Sequence, residues 1–339
     1  MRPVTLKRLA WTCGALALVL LATVAAALKL GAVPISVSDL LLSMGRVAIG
    51  RSDRLPTEYR LIVFELRLPR ILLGILVGAA LSVAGAGFQA LLRNPLADPY
   101  VLGVSSGAAL GAILALIASP HLPLVTPLAA FFGAAATIAA VYFLGRRGGQ
   151  LDSGTLLLAG IVTASFLSAV IMFLMTTLAS RDLRGMAFWL MGDLSTPQAV
   201  GVRSVLVVGF LVAAGAIYTT AADLNLLLTG EQEAAHLGVN VTRVKLVVYL
   251  GASVLTGLAV SVSGAIGYVG LLVPHAMRLL FGSDYRLLIP TSALGGAIAI
   301  VLADTLARTV VAPTELPVGA MTAMAGAPVF IYLLRRRLR

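Results

Sequence analysis

The sequence predicts an all-α polytopic membrane protein. Three observations carry that prediction. Apolar residues fill 59% of the 339 positions, while Asp, Glu, Lys and Arg together fill only 12%, about half the charged share of a water-soluble domain. The mean hydropathy of +1.00 means more apolar surface than a single soluble core can enclose. The apolar residues also fall in windows of about 20, the length at which an α-helix crosses a hydrocarbon layer. The whole chain, 1–339, therefore reads as one transmembrane domain.

Composition also excludes. The single cysteine, Cys13, rules out a disulfide framework and any multi-cysteine metal site; it reads as a small apolar residue within a span. The net charge of +11 is accounted for by membrane orientation and anionic headgroups rather than by nucleic acid.

The windows predict ten spans, at roughly 9–30, 70–92, 101–118, 123–144, 155–178, 199–220, 243–262, 264–281, 287–311 and 316–334. The first begins like a signal peptide, but the run from Leu9 to Leu28 exceeds the usual apolar core of about 7–15 residues, so a retained span is expected. An even count places both termini on one side. Arg2, Lys7 and Arg8 open the chain, and Arg335, Arg336, Arg337 and Arg339 close it, so that side is read as the cytoplasm. Arg146, Arg147, Arg243, Lys245, Arg278 and Arg286 then fall inside as well. The segment from Lys29 to Arg70 conflicts in part, since that outer loop holds six arginines; long loops are partly exempt from the rule.

At the second span, Arg67-Leu-Pro-Arg70 places two arginines at an outer helix start, with Pro69 in the first turn. They read either as headgroup anchors or as a docking patch for an acidic partner. Gly74, Gly78, Ser82, Ala86 and Ala90 line one face of this span, and Gly103, Gly107 and Gly111 line one face of the third. Such faces let helix backbones approach closely in lipid. Between them Arg93-Asn-Pro-Leu-Ala-Asp-Pro-Tyr100 holds two prolines that forbid a continuous helix. This cytoplasmic turn sets Asn94 and Leu96 at the membrane edge. The fourth-to-fifth turn, Gly148 to Gly154, is similarly small.

Ala80-Leu-Ser-Val-Ala-Gly-Ala86 recurs as Ala259-Val-Ser-Val-Ser-Gly-Ala265, with opposite predicted direction. That is the mark of an inverted repeat, spans 2–5 against spans 7–10, as in many transporters. In the ninth span Asp304 and Arg308 stand four apart and can pair on one face. His275 reads as a hydrogen-bonded structural residue, and His121 and His236 show no ligand spacing.

The segment 222–243 is a polar island. Thr229 and Gln232 have the spacing of a capping box, and Gly238 suits a left-handed stop, which predicts a short helix from about Gly230 to Leu237. Asp223 suits the cap of a second one. Glu231 and Glu233 keep this island in water or against a partner. It reads as a handle for something outside the membrane, or as a solvated connection.

No Gly-Lys dipeptide occurs, so no Gly-x-x-x-x-Gly-Lys phosphate loop is present. Nor is there His-Glu-x-x-His, or a Gly-x-Ser-x-Gly on a strand-turn-helix background. No metal site, cofactor or enzyme activity is expected, and span count and packing favour transport.

Several long motifs then resemble one family. They are Arg67-Leu-Pro-Arg70, Gln89-Ala-Leu-Leu-Arg-Asn-Pro-Leu-Ala-Asp-Pro99, Leu102-Gly-Val-Ser-Ser-Gly107, Glu233-Ala-Ala-His-Leu-Gly-Val239, Gly264-Ala-Ile-Gly-Tyr-Val-Gly-Leu-Leu-Val-Pro-His275 and Glu315-Leu-Pro-Val-Gly-Ala, with Gly326-Ala-Pro-Val-Phe330. The chain resembles the iron-chelate and vitamin B12 uptake permeases of bacterial ABC importers, from about residue 60 onward. The resemblance implies a homodimer (or close heterodimer) in the cytoplasmic membrane, with two cytoplasmic ATPase subunits and an extracytoplasmic substrate-binding protein. It implies that Thr229, Gly230, Glu231, Glu233, Ala234, Ala235, Leu237 and Gly238 belong to an ATPase-coupling segment. Arg67, Arg70 and Arg308 match residues that dock the binding protein. Asn94 and Leu96 match one cytoplasmic gate turn, and Ser153 and Gly154 fall at the other, where this chain has Asp152-Ser-Gly in place of the B12 importer's hydroxyl run. The implied cargo is a metal chelate, an iron(III)-siderophore first, with haem or cobalamin as alternatives. An ion-coupled secondary transporter is the alternative from a different class.

Overall fold

The computed structural model describes residues 4–31, 59–119, 124–147, 150–177, 183–196 and 198–337, with positions 33, 35, 36, 38 and 122. Arg2, Arg46, Arg51, Arg54, His121 and Arg339 lie outside the described residues. Helix α1 (Leu6–Lys29) is capped by the Thr5 hydroxyl, which accepts the Arg8 N–H at 3.2 Å. A π-helical lead-in, Arg60–Arg67, enters α2 (Leu68–Leu91), with Pro69 in its first turn. A 3-10 turn, Pro99–Leu102, precedes α3 (Val104–Ala118), and α4 (Val125–Leu144) follows. A two-residue antiparallel ladder, β1 (Arg146–Arg147) with β2 (Gln150–Leu151), turns the chain into α5 (Ser153–Thr177). Then come α6 (Leu183–Leu190), α7 (Val200–Thr219), α8 (Ala221–Leu227) and α9 (Glu231–His236). The last four are α10 (Val241–Ser263), α11 (Val269–Phe281), α12 (Tyr285–Thr309) and α13 (Val318–Arg337).

Among the described residues, seven helices are long and apolar enough to cross a membrane, and three shorter apolar ones accompany them. Together they occupy the ten predicted windows. Two begin late: α3 starts at Val104 rather than 101, and α11 at Val269 rather than 264. The cause is backbone geometry. Gly103 (φ 75°) and Tyr268 (φ 68°) are both left-handed and stand immediately before these helices. At 15 and 13 residues, α3 and α11 span only about 20 Å, against about 30 Å of hydrocarbon. The irregular chain before each must therefore cover part of the depth.

That chain is enclosed by protein. The Ile266 N–H donates to the Tyr100 hydroxyl. The Asp98 carboxylate accepts from the backbone N–H groups of Tyr100, at 2.9 Å, and Tyr268. Gln89 on α2 donates to the Leu271 carbonyl at 3.1 Å, in the first turn of α11. Irregular backbone at membrane depth survives only with such partners.

The helix neighbours follow a two-fold pattern. Helix α2 packs on α12 and α10 on α4; α3 packs on α4 and α11 on α12; α4 meets α5 and α12 meets α13; α2 meets α11 and α10 meets α3. Each pair maps onto the other when spans 2–5 are exchanged for spans 7–10, as an inverted repeat requires. The short sequence match does not set its register. Ala80–Ala86 lies within α2, whereas Ala259–Ala265 straddles the end of α10. Packing and the paired left-handed breaks carry the repeat instead.

Helices α2 and α10 are the most enclosed of the long spans. The small-residue faces explain how they fit. A side chain at Gly78 would strike the Gly296 carbonyl on α12, and one at Gly85 the Gly270 carbonyl on α11. Gly107 and Gly111 make the same approach to Gly133 and Ala129 on α4. Tyr249 fastens α10 to α4 by donating to the Ile138 carbonyl at 2.8 Å, and meets Phe88 edge-on at 6.4 Å.

Overpacking at such a crossing costs about 1–3 kcal/mol. Gly78→Leu is expected to lower the detergent-solubilised protein's melting temperature markedly. Gly215→Leu, at a position with open space around it, is expected to leave it nearly unchanged.

Candidate functional site

Two polar clusters sit at opposite ends of the bundle. One is built around α9. Its start differs from the sequence expectation. Thr229 does not cap the helix; its hydroxyl donates back to the Leu226 carbonyl at 2.8 Å, and Gly230 (φ 138°) stands at the cap without a side-chain bond. The capping-box reading of Thr229 and Gln232 is thereby corrected: α8 ends so close to α9 that the hydroxyl satisfies the preceding helix instead. Asp223 likewise lies inside the first turn of α8, with Thr220 at the cap. The stop at Gly238 is left-handed (φ 88°), and Val239 N–H closes it on the Ala234 carbonyl at 3.0 Å.

Helix α9 presents Glu233, Ala235, Leu237 and Gly238 to solvent and buries Ala234 completely. Leu237 is 65% exposed, a large apolar group on a polar end. Glu231 faces the bundle: it pairs with Lys245 at 2.6 Å and Arg93 at 3.2 Å. Lys245 also donates to the Leu151 carbonyl at 3.1 Å.

The two turns matched to gates lie beside it. Asn94 is exposed and Leu96 half-buried, and the Asn94 side chain accepts the Leu96 N–H at 3.0 Å. Ser153 donates to the Leu91 carbonyl at 3.1 Å, joining the start of α5 to the end of α2; Gly154 is exposed next to it. Arg93 stops α2 in a left-handed conformation (φ 47°), which costs a residue with a Cβ about 1–2 kcal/mol relative to glycine. At the same end Arg8 donates to the Phe281 carbonyl at 2.6 Å, and the Asn225 amide donates to Asp284 at 2.8 Å. The Arg286 guanidinium, with help from Asn225, holds the Asp284 carboxyl down at about 2, so it stays charged as the cap of α12.

The second cluster, at the other end, gathers Arg67, Arg70, Asp304, Arg308 and Glu315. Asp304 is the hub. It receives Arg70 at 2.8 Å and Arg308 at 3.1 Å, so the expected four-residue pair within the ninth span becomes a triad. Arg70 reaches on to Glu315 at 2.7 Å. Arg67 donates to the Leu28 carbonyl at 2.6 Å and to those of Lys29 and Val33, and Arg308 to the Ala27 carbonyl at 3.4 Å. Arg67 and Arg308 are each only 6% exposed. The sequence reading set three guanidinium groups at a surface; the structure turns them inward, where they tie the end of α1 to α2 and α12. Glu315 is the member open to solvent.

Sequence reasoning missed α6 and the turn after it. Gly192 (φ 82°) lets its carbonyl accept the Val318 N–H at 3.1 Å, and the Asp193 N–H reaches the Ser263 carbonyl at 2.7 Å. The turn residues Gly192-Asp193-Leu-Ser195 were a signal for this connection. Among the described residues no group of His, Cys, Asp and Glu gathers as a metal site.

The model of the FecCD transport family matches residues 18–336. The chain belongs to that family. A cobalamin import system permease protein of Halobacterium salinarum is 45% identical over 282 residues, covering 83% of this chain and 75% of the relative. A hemin transport system permease protein of Yersinia pestis is 43% identical over 280 residues, covering 80% and 83%. A solved structure described as an inward-facing conformation of a metal-chelate type ABC transporter superposes with a TM-score of 0.83 at 30% identity, covering 96% of this chain and 98% of that one. This FecCD chain is thus a membrane permease.

Charge burial separates the residues of the Asp304 cluster. Removing Asp304 leaves the buried Arg308 without an acidic partner and Arg70 with only the half-exposed Glu315, at a cost of about 3–5 kcal/mol. Removing Glu315, which is half in water, costs about 0–1 kcal/mol. Asp304→Ala is therefore expected to abolish a stable fold in detergent, and Glu315→Ala to shift the melting temperature by a few degrees at most.

Proposed function

We propose that this FecCD-family permease is the translocation subunit of an ABC importer whose cargo is an iron(III) chelate of siderophore type. Two copies would form the pathway at their interface in a bacterial cytoplasmic membrane, with both termini in the cytoplasm. Two separate ATPase subunits would drive them, and an extracytoplasmic binding protein would deliver cargo. The observation that carries the reading is family membership across 18–336 together with the exposed face of α9. A short helix that buries Ala234 and exposes Leu237 and Glu233 is held by its own protein on one side and free for a partner on the other.

Within this reading, Thr229, Gly230, Glu231, Glu233, Ala234, Ala235, Leu237 and Gly238 form the ATPase-coupling segment. Asn94, Leu96, Ser153 and Gly154 form the cytoplasmic gate. Arg67, Arg70 and Arg308 serve the outer docking corner. Burial modifies how they would serve it: Arg67 and Arg308 stiffen the corner from beneath, and Arg70 with Glu315 shapes its surface. Three arginines against Asp304 and Glu315 leave a net positive field, which suits acidic patches on a binding protein and would speed its encounter at low salt.

A second cargo reading, a macrocyclic metal chelate such as haem or cobalamin, is favoured by the names of the two relatives given above. An ion-coupled mechanism loses ground, since those relatives and the superposed structure are import permeases or an ABC transporter.

Uptake into liposomes holding the permease, its ATPase and its binding protein distinguishes the cargoes. ATP-dependent accumulation of an iron-labelled ferric siderophore is the expected result; accumulation of hemin or cyanocobalamin instead moves the assignment to the macrocycles. Uptake driven by a proton gradient without ATP would overturn the ABC reading.

Exposure also predicts how α9 tolerates change. Ala235→Arg on the open face is expected to leave the permease folded but to abolish co-purification of the ATPase. Ala234→Trp, at a filled position, is expected to lower thermal stability as well. Normal uptake by the Ala235→Arg protein would show that α9 does not contact the ATPase.

A further inference from the structure

The coupling helix is tied to both gate turns by one carboxylate. Glu231, the first residue of α9, holds Lys245 through Oε2 at 2.6 Å and Arg93 through Oε1 at 3.2 Å. Lys245, on the first turns of α10, holds the Leu151 carbonyl, two residues before Ser153. Arg93 directly precedes Asn94. The Ser153 bond to the Leu91 carbonyl then closes a ring of contacts through α9, α10, the start of α5 and the end of α2.

The two arms are unequal. The Lys245 side chain is 10% exposed and that of Arg93 is 47% exposed. A shielded pair resists water and salt, whereas an exposed one is weak. A cavity of about 480 Å³, bordered by Glu231, Gln232, Ala235, Arg146 and Lys245, opens beside the pair. It gives α9 room to shift with Lys245 attached.

The backbone at Arg93 adds independent support. A helix stop at φ 47° is a position that glycine or asparagine fills without strain. An arginine kept in that conformation has a use for its side chain, and its guanidinium is bound to Glu231. Strain observed at a site is a reason to look for function there.

We propose that Glu231, Lys245 and Arg93 form a transmission latch that links ATPase movement to the cytoplasmic gate. They are positioning residues, and the proposal rests on the reading of α9 as the ATPase contact. Movement of α9 carries Lys245 and the Leu151–Ser153 turn with it through the shielded arm. The exposed Arg93 arm releases, so the Asn94–Leu96 turn stays with α2. The Ser153–Leu91 bond parts, and the two gate turns separate.

The test is the number of cargo molecules imported per ATP hydrolysed, measured with the full complex in liposomes. Lys245→Met and Glu231→Gln should each lower this ratio about fivefold or more, the scale of a site-to-site coupling energy. Lys245→Arg, which keeps both a charge for Glu231 and a donor for the Leu151 carbonyl, should keep much of it. Arg93→Gly separates latch from scaffold: relief of strain should leave the melting temperature unchanged or higher, while the ratio falls. A merely structural role predicts the opposite. The latch is overturned if complexes of normal composition carrying Glu231→Gln, Lys245→Met or Arg93→Gly all import at the native ratio. It is also overturned if Lys245→Arg is no better than Lys245→Met. If Lys245→Met fails to assemble, Arg93→Gly alone decides. Ala235→Arg tells the two failures apart. If it still binds the ATPase, the coupling reading of α9 fails and the latch with it. If it loses the ATPase while the latch variants keep the native ratio, only the latch fails.

Discussion

Hydrocarbon offers no partner to a broken helix. This constraint shapes the structure. Helices α3 and α11 start part-way along the bundle, after left-handed residues at Gly103 and Tyr268. The open backbone before them would be prohibitively costly in lipid, so it must lie among other helices. The two broken segments solve the problem for each other: Tyr100 receives Ile266, and Asp98 receives Tyr268. Helix α2 packs against both α11 and α12. That in turn demands glycine at Gly78, Gly85, Gly270 and Gly296, where two backbones come into direct contact. The breaks, the enclosed central helices and the small-residue faces are one solution to one constraint.

The same logic explains what the sequence could and could not show. Span count and approximate ends were legible because apolar length against bilayer thickness is a local property. The close-packed faces were legible because four-residue spacing on a helix is local too. The start of α11 was not, since nothing in Gly264-Ala-Ile-Gly-Tyr268 states that Tyr268 is the left-handed residue rather than Gly267. The inverted repeat was legible for the wrong reason. Ala80–Ala86 and Ala259–Ala265 share residues but not position, while the true correspondence lies in which helices touch.

At the polar clusters, sequence gave membership and structure gave direction. Arg67, Arg70 and Arg308 were legible as a set at one end of the bundle. Their burial depended on Leu28, Lys29 and Ala27 offering carbonyls from the end of α1, a contact between distant segments that no spacing encodes. Thr229 failed for a related reason. A capping box assumes free chain before the helix, and here α8 occupies that chain. Glu231 was read as part of an exposed handle, yet its partners Arg93 and Lys245 lie 138 residues before it and 14 after it.

The two ends of the molecule put charge to different uses, and the difference is in solvent exposure. At the Asp304 end that carboxylate is 3% exposed and its partners Arg70 and Arg308 are 12% and 6% exposed. An ion triad that far from water is costly to open, because any lost partner leaves a bare charge in a poor solvent. It suits a fixed corner that holds α1, α2 and α12 in one arrangement. At the other end Glu231 is 31% exposed and Arg93 47% exposed. Water there can replace a lost partner at a cost near that of the pair itself, so the contact can break and re-form within the energy of one transport cycle. Under the proposed function, a subunit that receives cargo at a rigid face and opens at a responsive one would need this asymmetry. The bundle achieves it by burying one ionic cluster under a helix end and leaving the other beside a cleft.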